Sequence, residues 1–142
     1  MESTQQKTVE LGMPHSKGIV IGFWIVTALF CLEMGFTAYY ELLRLPEAAQ
    51  AFTRLGFSAS YFRVELSWAK VAGVAALIIP MVPARLKEWA YAGFAINLAS
   101  ALIAHLSLGD PPGALAPSMI TSVFWGLSYF LWRRLQAEAA SA

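Results

Sequence analysis

The chain has 142 residues, of which 58% are hydrophobic and only 13% charged, with a mean hydropathy of +0.56. A soluble domain of this size carries about 25% charge. The net charge of +1 and the single Cys31 exclude a basic nucleic-acid-binding surface, a disulfide framework and a cysteine-built metal site. The length suits one domain and leaves no room for a separate soluble module.

Residues 1–17 are polar, with Glu2 and Glu10, and lack the apolar core of a signal peptide. They read as an N-terminal tail. A first membrane span is expected from Ile19 to Tyr40, interrupted only by Glu33. About 20 apolar residues in a helix cross a ~30 Å hydrocarbon layer. Pro46 to Phe62 forms the longest link. Pro46 stands at a helix-start position, and Ala49, Phe52 and Leu55 recur at helical spacing. A short interfacial helix is expected there.

Span two is expected from Val64 to Val82, with Glu65 and Lys70 in its first half. Pro83 to Glu88 reads as a tight basic turn. Span three runs from Trp89 to Leu108 and carries Asn97 and His105. The sequence GDPPG, Gly109 to Gly113, is a turn, because two prolines cannot continue a helix. Span four runs from Leu115 to Trp132 and stops at Arg133 and Arg134. Residues 135–142 form a C-terminal tail. The expected fold is therefore all-α, an integral membrane four-helix bundle. A sheet is excluded, since open strand edges cannot sit in lipid.

With four spans, both termini and the Pro83–Glu88 turn share a side. That side holds the six basic residues Lys7, Lys17, Arg85, Lys87, Arg133 and Arg134, against the three residues Arg44, Arg54 and Arg63 opposite. The excess places both termini in the cytoplasm. Trp24, Trp68, Trp89 and Trp132 fall near span ends, where interfacial anchors belong.

Ionisable residues inside a bilayer cost at least ~2.5–3.5 kcal/mol each on insertion scales, so they need partners. Idealised helices place both Glu33 and Lys70 ~5 Å to the outer side of the midplane, which predicts that they pair. Such a pair either tunes a proton donor or acceptor or fixes helix packing. Gly93, Asn97, Ala101 and His105 repeat at four-residue spacing and share a face of span three. Small residues there allow close approach, and Asn97 can bond across to a neighbour. Glu65, with Tyr61 one turn beyond it, lies at a similar outer depth to His105. Asp110 follows in the outer turn. Ser118, Ser122, Trp125 and Tyr129 of span four can face the same interior.

Glu33, Glu65, Lys70 and His105 are thus the candidate catalytic residues of an outward-opening cavity. Tyr61, Asn97, Asp110, Ser122 and Trp125 are its candidate ligand-binding residues. No metal-ligand spacing, phosphate loop, nucleophile elbow or haem-attachment motif is present. No cofactor is expected to be built into the chain itself.

Several stretches resemble the DoxX-like family of small bacterial membrane proteins. They are FTRLGFSASYFR before span two, WAKVAGVAALIIP within it, RLKEWAYAGFAIN (Arg85 to Asn97), HLSLGDPPGALAP (His105 to Pro117) and the final SYFLWRR. The resemblance extends from Leu45 to Arg134 and includes Lys70, Glu88, Asn97, His105, Gly109 and Asp110. It implies a four-helix, multi-pass protein of the bacterial inner membrane. It also implies an association with quinone-linked redox chemistry, in which a membrane or soluble partner brings the electrons. Two other readings stand beside this one. One is a cofactor-independent membrane enzyme acting on a lipophilic small molecule by acid–base chemistry, with Glu33, Glu65 and His105 as working groups. The other is a non-catalytic scaffold or assembly factor. Expected partners are the lipid bilayer, a redox protein and further copies of the chain.

Overall fold

The structure, a computed structural model, describes the backbone of residues 2–42, 46–56 and 60–141, and the side chains of residues 17–39, 41–42, 49–56 and 61–140. Five helices follow one another, and the described residues contain no strand: α1 (Glu2–Leu42), α2 (Pro46–Arg54), α3 (Ser60–Ile78), α4 (Ala84–Ser107) and α5 (Pro112–Ser141). The four long helices close a ring: α1 packs on α3 and α5, and α4 packs on the same two. Both the end of α1 and α2 lie at the end of the ring that holds the α4–α5 turn.

Among the described residues three segments are long and apolar enough to cross a membrane: Lys17–Tyr39, Ala84–Ser107 and Pro112–Ala140. The Lys17–Tyr39 stretch of α1 is largely apolar around its circumference, so burial rather than pattern separates its faces. Phe23, Thr27, Phe30, Met34, Ala38 and Glu41 point into the ring. Ile21, Ile25, Leu29, Leu32 and Phe36 point outward and are exposed. Large apolar side chains exposed along whole helices form a surface that fits lipid.

Elements start and stop where side-chain chemistry allows. Helix α3 ends at Ile78, just before Pro80, four residues short of the expected span end at Val82. Helix α4 begins immediately after Pro83, so Arg85, Lys87 and Glu88 belong to its first turns and the expected basic turn is shorter. Pro112 opens α5, at the position where proline costs a helix nothing. Helix α5 continues past Arg133 and Arg134 to Ser141, and α1 reaches back through the polar segment to Glu2.

The core is aromatic at the end away from α2. Phe94 packs edge-on against Phe30, with ring centroids 4.9 Å apart. Tyr91 contacts Tyr129 and Trp132. Trp132 is buried, which corrects its expected role as a lipid-facing anchor; Trp24, Trp68 and Trp89 are exposed. Three buried hydroxyls tie α1, α4 and α5 together: Ser128 Oγ lies 2.6 Å from Thr27 Oγ1 and 2.7 Å from the Tyr91 hydroxyl. Each group thereby satisfies a polar atom that lipid or apolar packing would leave stranded.

Candidate functional site

The polar residues of the ring gather toward the α2 end. Glu33, Thr37 and Glu41 recur every four residues along α1 and therefore share one face. On α3, Arg63, Ser67 and Lys70 are buried and form the opposing face. Lys70 Nζ donates to Glu41 Oε1 at 2.6 Å and to Thr37 Oγ1 at 3.4 Å. Ser67 Oγ contacts Glu41 Oε2 at 3.2 Å and its own helix at Arg63 O at 2.8 Å. Both side chains of the ion pair are at least nine-tenths buried. Two charged ends with several hydrogen bonds meet the conditions under which a buried pair is tolerated.

The expected partner of Lys70 was Glu33, and here the structure corrects the sequence reading. Lys70 takes Glu41, two turns further along α1. Glu33 instead accepts a hydrogen bond from Thr121 Oγ1 of α5 at 2.9 Å. Thr121 also bonds Pro117 O, at 2.8 Å, where the proline interrupts α5.

Several of these groups line a cavity of about 510 Å³ to which all five helices contribute. Glu33, Thr37 and Glu41 come from α1, Lys70 from α3, Asn97 and Ser100 from α4, and Ser118 and Thr121 from α5. Phe52 and Leu55, at and just after the end of α2, cover it. That is the expected apolar face of α2: Ala49, Phe52 and Leu55 are half-buried while Gln50, Ala51, Thr53 and Arg54 are exposed. Gly93 and Ala101 also line the cavity, so the Gly93–Asn97–Ala101 row of α4 does face inward. Asn97 has no side-chain hydrogen bond among the described residues, and its amide is open to the cavity. The volume is within the ~300–1,000 Å³ of small-molecule sites.

Of the sequence candidates, the cavity brings together Glu33, Lys70 and Asn97. His105 and Asp110 form a second cluster with Arg54. Gly109, at φ +69°, reverses the chain after α4 so that Asp110 N bonds His105 O at 3.1 Å. A positive φ suits glycine. The same reversal sets Asp110 Oδ2 2.6 Å from His105 Nδ1. Arg54 Nη1 donates to Asp110 Oδ2 at 3.2 Å, and Nη2 donates to Oδ1. This two-pronged contact pins the end of α2, and hence the cover, to the α4–α5 turn. The other candidates lie apart. Tyr61 and Glu65 are exposed on α3. Ser122 bonds back to Ser118 O at 2.6 Å. Trp125 Nε1 donates to Tyr91 O at 2.9 Å, and its ring stacks on Tyr129.

Hydrogen bonds from Arg54 and then from His105 hold the Asp110 carboxyl below the usual carboxylate range. A lowered folded value means that the charged carboxylate stabilises the folded state above the unfolded value. That contribution is lost as pH falls through the folded value. A nitroxide at exposed Gln50 of α2 should therefore stay immobile at neutral pH and gain mobility only in acid. In Asp110→Asn it should be mobile already at neutral pH. Equal spectra for the two proteins at neutral pH would show that Asp110 does not hold α2.

Among the described residues no group of three or more His, Cys, Asp and Glu side chains is placed to hold a metal. The sequence model of the DoxX-like family matches residues 25–127, a stretch that takes in α2, α3 and α4 whole and reaches every charged residue of the cavity. No curated protein matches the chain. No solved structure matches it either.

Proposed function

The chain belongs to the DoxX-like family, and we propose that it is a four-span membrane subunit that holds a lipophilic small molecule, a quinone headgroup first among them, in the cavity beneath α2. Helix α3 is the fourth span. Its 19 residues measure ~29 Å, close to the ~30 Å of the hydrocarbon layer. It carries Arg63, Glu65 and Lys70, but Arg63 and Lys70 turn inward. Both termini face the cytoplasm by the excess of Lys and Arg on that side, α2 lies at the outer interface, and the membrane is the bacterial inner membrane.

The observation that carries the reading is the cavity itself. It is mostly apolar and carries a few donors and acceptors, as ligand sites do. The residues fit a quinone headgroup. The Lys70 ammonium and the Asn97 amide are donors for carbonyl oxygens, Glu33 and Glu41 are acceptors, and Met34, Phe52, Leu55 and Leu66 give apolar walls. A quinone, when bound, supplies the two-electron redox chemistry, and a partner protein supplies the electrons. The chain's own part is to orient the headgroup, exclude water beneath Phe52 and Leu55, and keep ionisable groups beside it. The alternative acid–base enzyme built on Glu33, Glu65 and His105 is less well served. Glu65 is exposed, and His105 is engaged with Asp110 outside the lining of the cavity.

The test uses the purified protein in phosphatidylcholine nanodiscs and the tailless 2,3-dimethoxy-5-methyl-1,4-benzoquinone. Equilibrium dialysis should show saturable binding that weakens about tenfold in Asn97→Leu, the loss of one hydrogen bond of ~1.4 kcal/mol. Absence of saturable binding in wild type would remove the quinone from the reading.

A further inference from the structure

A second, more open groove of about 600 Å³ runs along the outside of the ring between α3 and α4. Its floor is made of small residues, among them Ala69, Ala72, Ala76 and Ala90. It leads from Asn97 down to Leu86 and Val82 beside the α3–α4 turn. The eleven residue steps from Leu86 to Asn97 make it about 16 Å long. The groove and the cavity share part of their lining: Leu66, Lys70, Gly93 and Asn97 belong to both. An almost wholly apolar trough open to the lipid side thus meets, at one mouth, a cavity that carries a few polar groups. At that mouth stand one charged group, Lys70, and one amide, Asn97, that has no side-chain hydrogen bond among the described residues.

We propose that the molecule held in the cavity carries a single long apolar tail, and that it loads sideways from the lipid through the mouth between α3 and α4, its head passing Asn97 and its tail lying in the groove. The inference rests on the cavity being a ligand site, as proposed above, and adds the class of ligand and its route. Three features of the molecule point to a tailed occupant rather than to a compact one. A compact polar molecule has no use for the apolar groove. On the opposite, α2 side Phe52 and Leu55 line the cavity, and the Arg54–Asp110 contact ties the end of α2 to the α4–α5 turn, whereas the α3–α4 side opens into the groove. The mouth also keeps space free beside a backbone position: a Cβ built on Gly93 meets nothing within 4 Å.

That space makes the route testable without disturbing the packing. Gly93→Leu places a side chain in the mouth. Ala72→Phe fills the groove alone, from an exposed position that does not line the cavity. The probe is a dodecyl alcohol bearing a diazirine in mid-chain, incorporated in phosphatidylcholine nanodiscs with the full-length protein. After photolysis, labelled peptides are mapped by mass spectrometry. The expected result is saturable labelling of the α3 and α4 residues that face the groove, reduced about tenfold in Ala72→Phe, since a phenyl ring displaces several methylene contacts. Gly93→Leu should reduce it similarly. Benzoquinone without a tail should bind Ala72→Phe as it binds wild type. The proposal is overturned if labelling spreads evenly over lipid-facing positions such as Ile21 and Leu29 of α1, or if neither variant changes it. The two readings fail separately. Saturable groove labelling without benzoquinone binding removes the quinone and keeps the tail; benzoquinone binding with diffuse labelling does the reverse.

Discussion

Lys70→Met should destabilise the folded protein by about 3–5 kcal/mol, because it leaves Glu41 buried without its countercharge. The side chains of Lys70 and Glu41 are 8% and 10% exposed, so little solvent is at hand to take over. Ser67 still contacts Glu41 in the variant, but a single hydroxyl at 3.2 Å does not replace an ammonium at 2.6 Å. The double variant Lys70→Met/Glu41→Leu removes both charges together. It should recover most of the loss, since a buried pair gains little over apolar side chains of similar volume. Unfolding in mixed micelles, followed by circular dichroism, gives the four corners of the cycle. Coupling near zero between positions 41 and 70 would mean that the ion pair does not form in the membrane. The same cycle separates structure from binding. If the double variant is stable but no longer binds the quinone headgroup, the charges serve the ligand.

The membrane-crossing character of α1, α4 and α5 is legible in the sequence because it depends on composition and length alone. The expected short helix after Pro46 was also legible, from proline placement and the spacing of Ala49, Phe52 and Leu55; it is α2. The partner of Lys70 was not. The expected pairing with Glu33 used depth, and depth depends on where a span is centred. The apolar run from Val71 to Val82 draws the expected span to 64–82, whereas the helix is Ser60–Ile78, so idealised centres do not fix which acid of α1 lies across from Lys70. The expected first span ends at Tyr40, one residue before Glu41, and so does not include it. Its signal was nevertheless present, since Glu33, Thr37 and Glu41 make a polar row at four-residue spacing on an otherwise apolar helix. His105 and Asp110 are five residues apart around a glycine turn, so their meeting is local. Arg54 is 56 residues from Asp110 and joins them only through the packing of α2. No periodicity in one segment encodes a contact of that kind.

Gly73→Ala should cost about 1–3 kcal/mol, the range found when a well-packed site is overfilled. A Cβ at position 73 would stand 2.7 Å from both Cε2 and Cζ of the Phe94 ring. A ring on an open surface would swing aside. This one is 3% exposed, and its edge-on contact with Phe30 holds it on the far side. The strain must therefore separate α3 from α4 or push Phe94 into Phe30. Phe94→Leu alone should also destabilise, through lost burial. In the double variant the smaller leucine makes room for the new methyl, so the two losses should fall short of their sum by at least ~0.5 kcal/mol. Unfolding in mixed micelles measures this directly. Strict additivity would show that Phe94 does not rest on Gly73. Because Gly73 and Phe94 both line the α3–α4 groove, the single variant should also widen it and change labelling by the tailed probe. Gly93, on the same groove, has no neighbour to meet its Cβ, so Gly93→Ala should be neutral or slightly stabilising, as helix propensity alone favours alanine by up to ~1 kcal/mol. Two glycines facing one groove are thus expected to respond with opposite signs: Gly73 sets the distance between α3 and α4, and Gly93 leaves the mouth open.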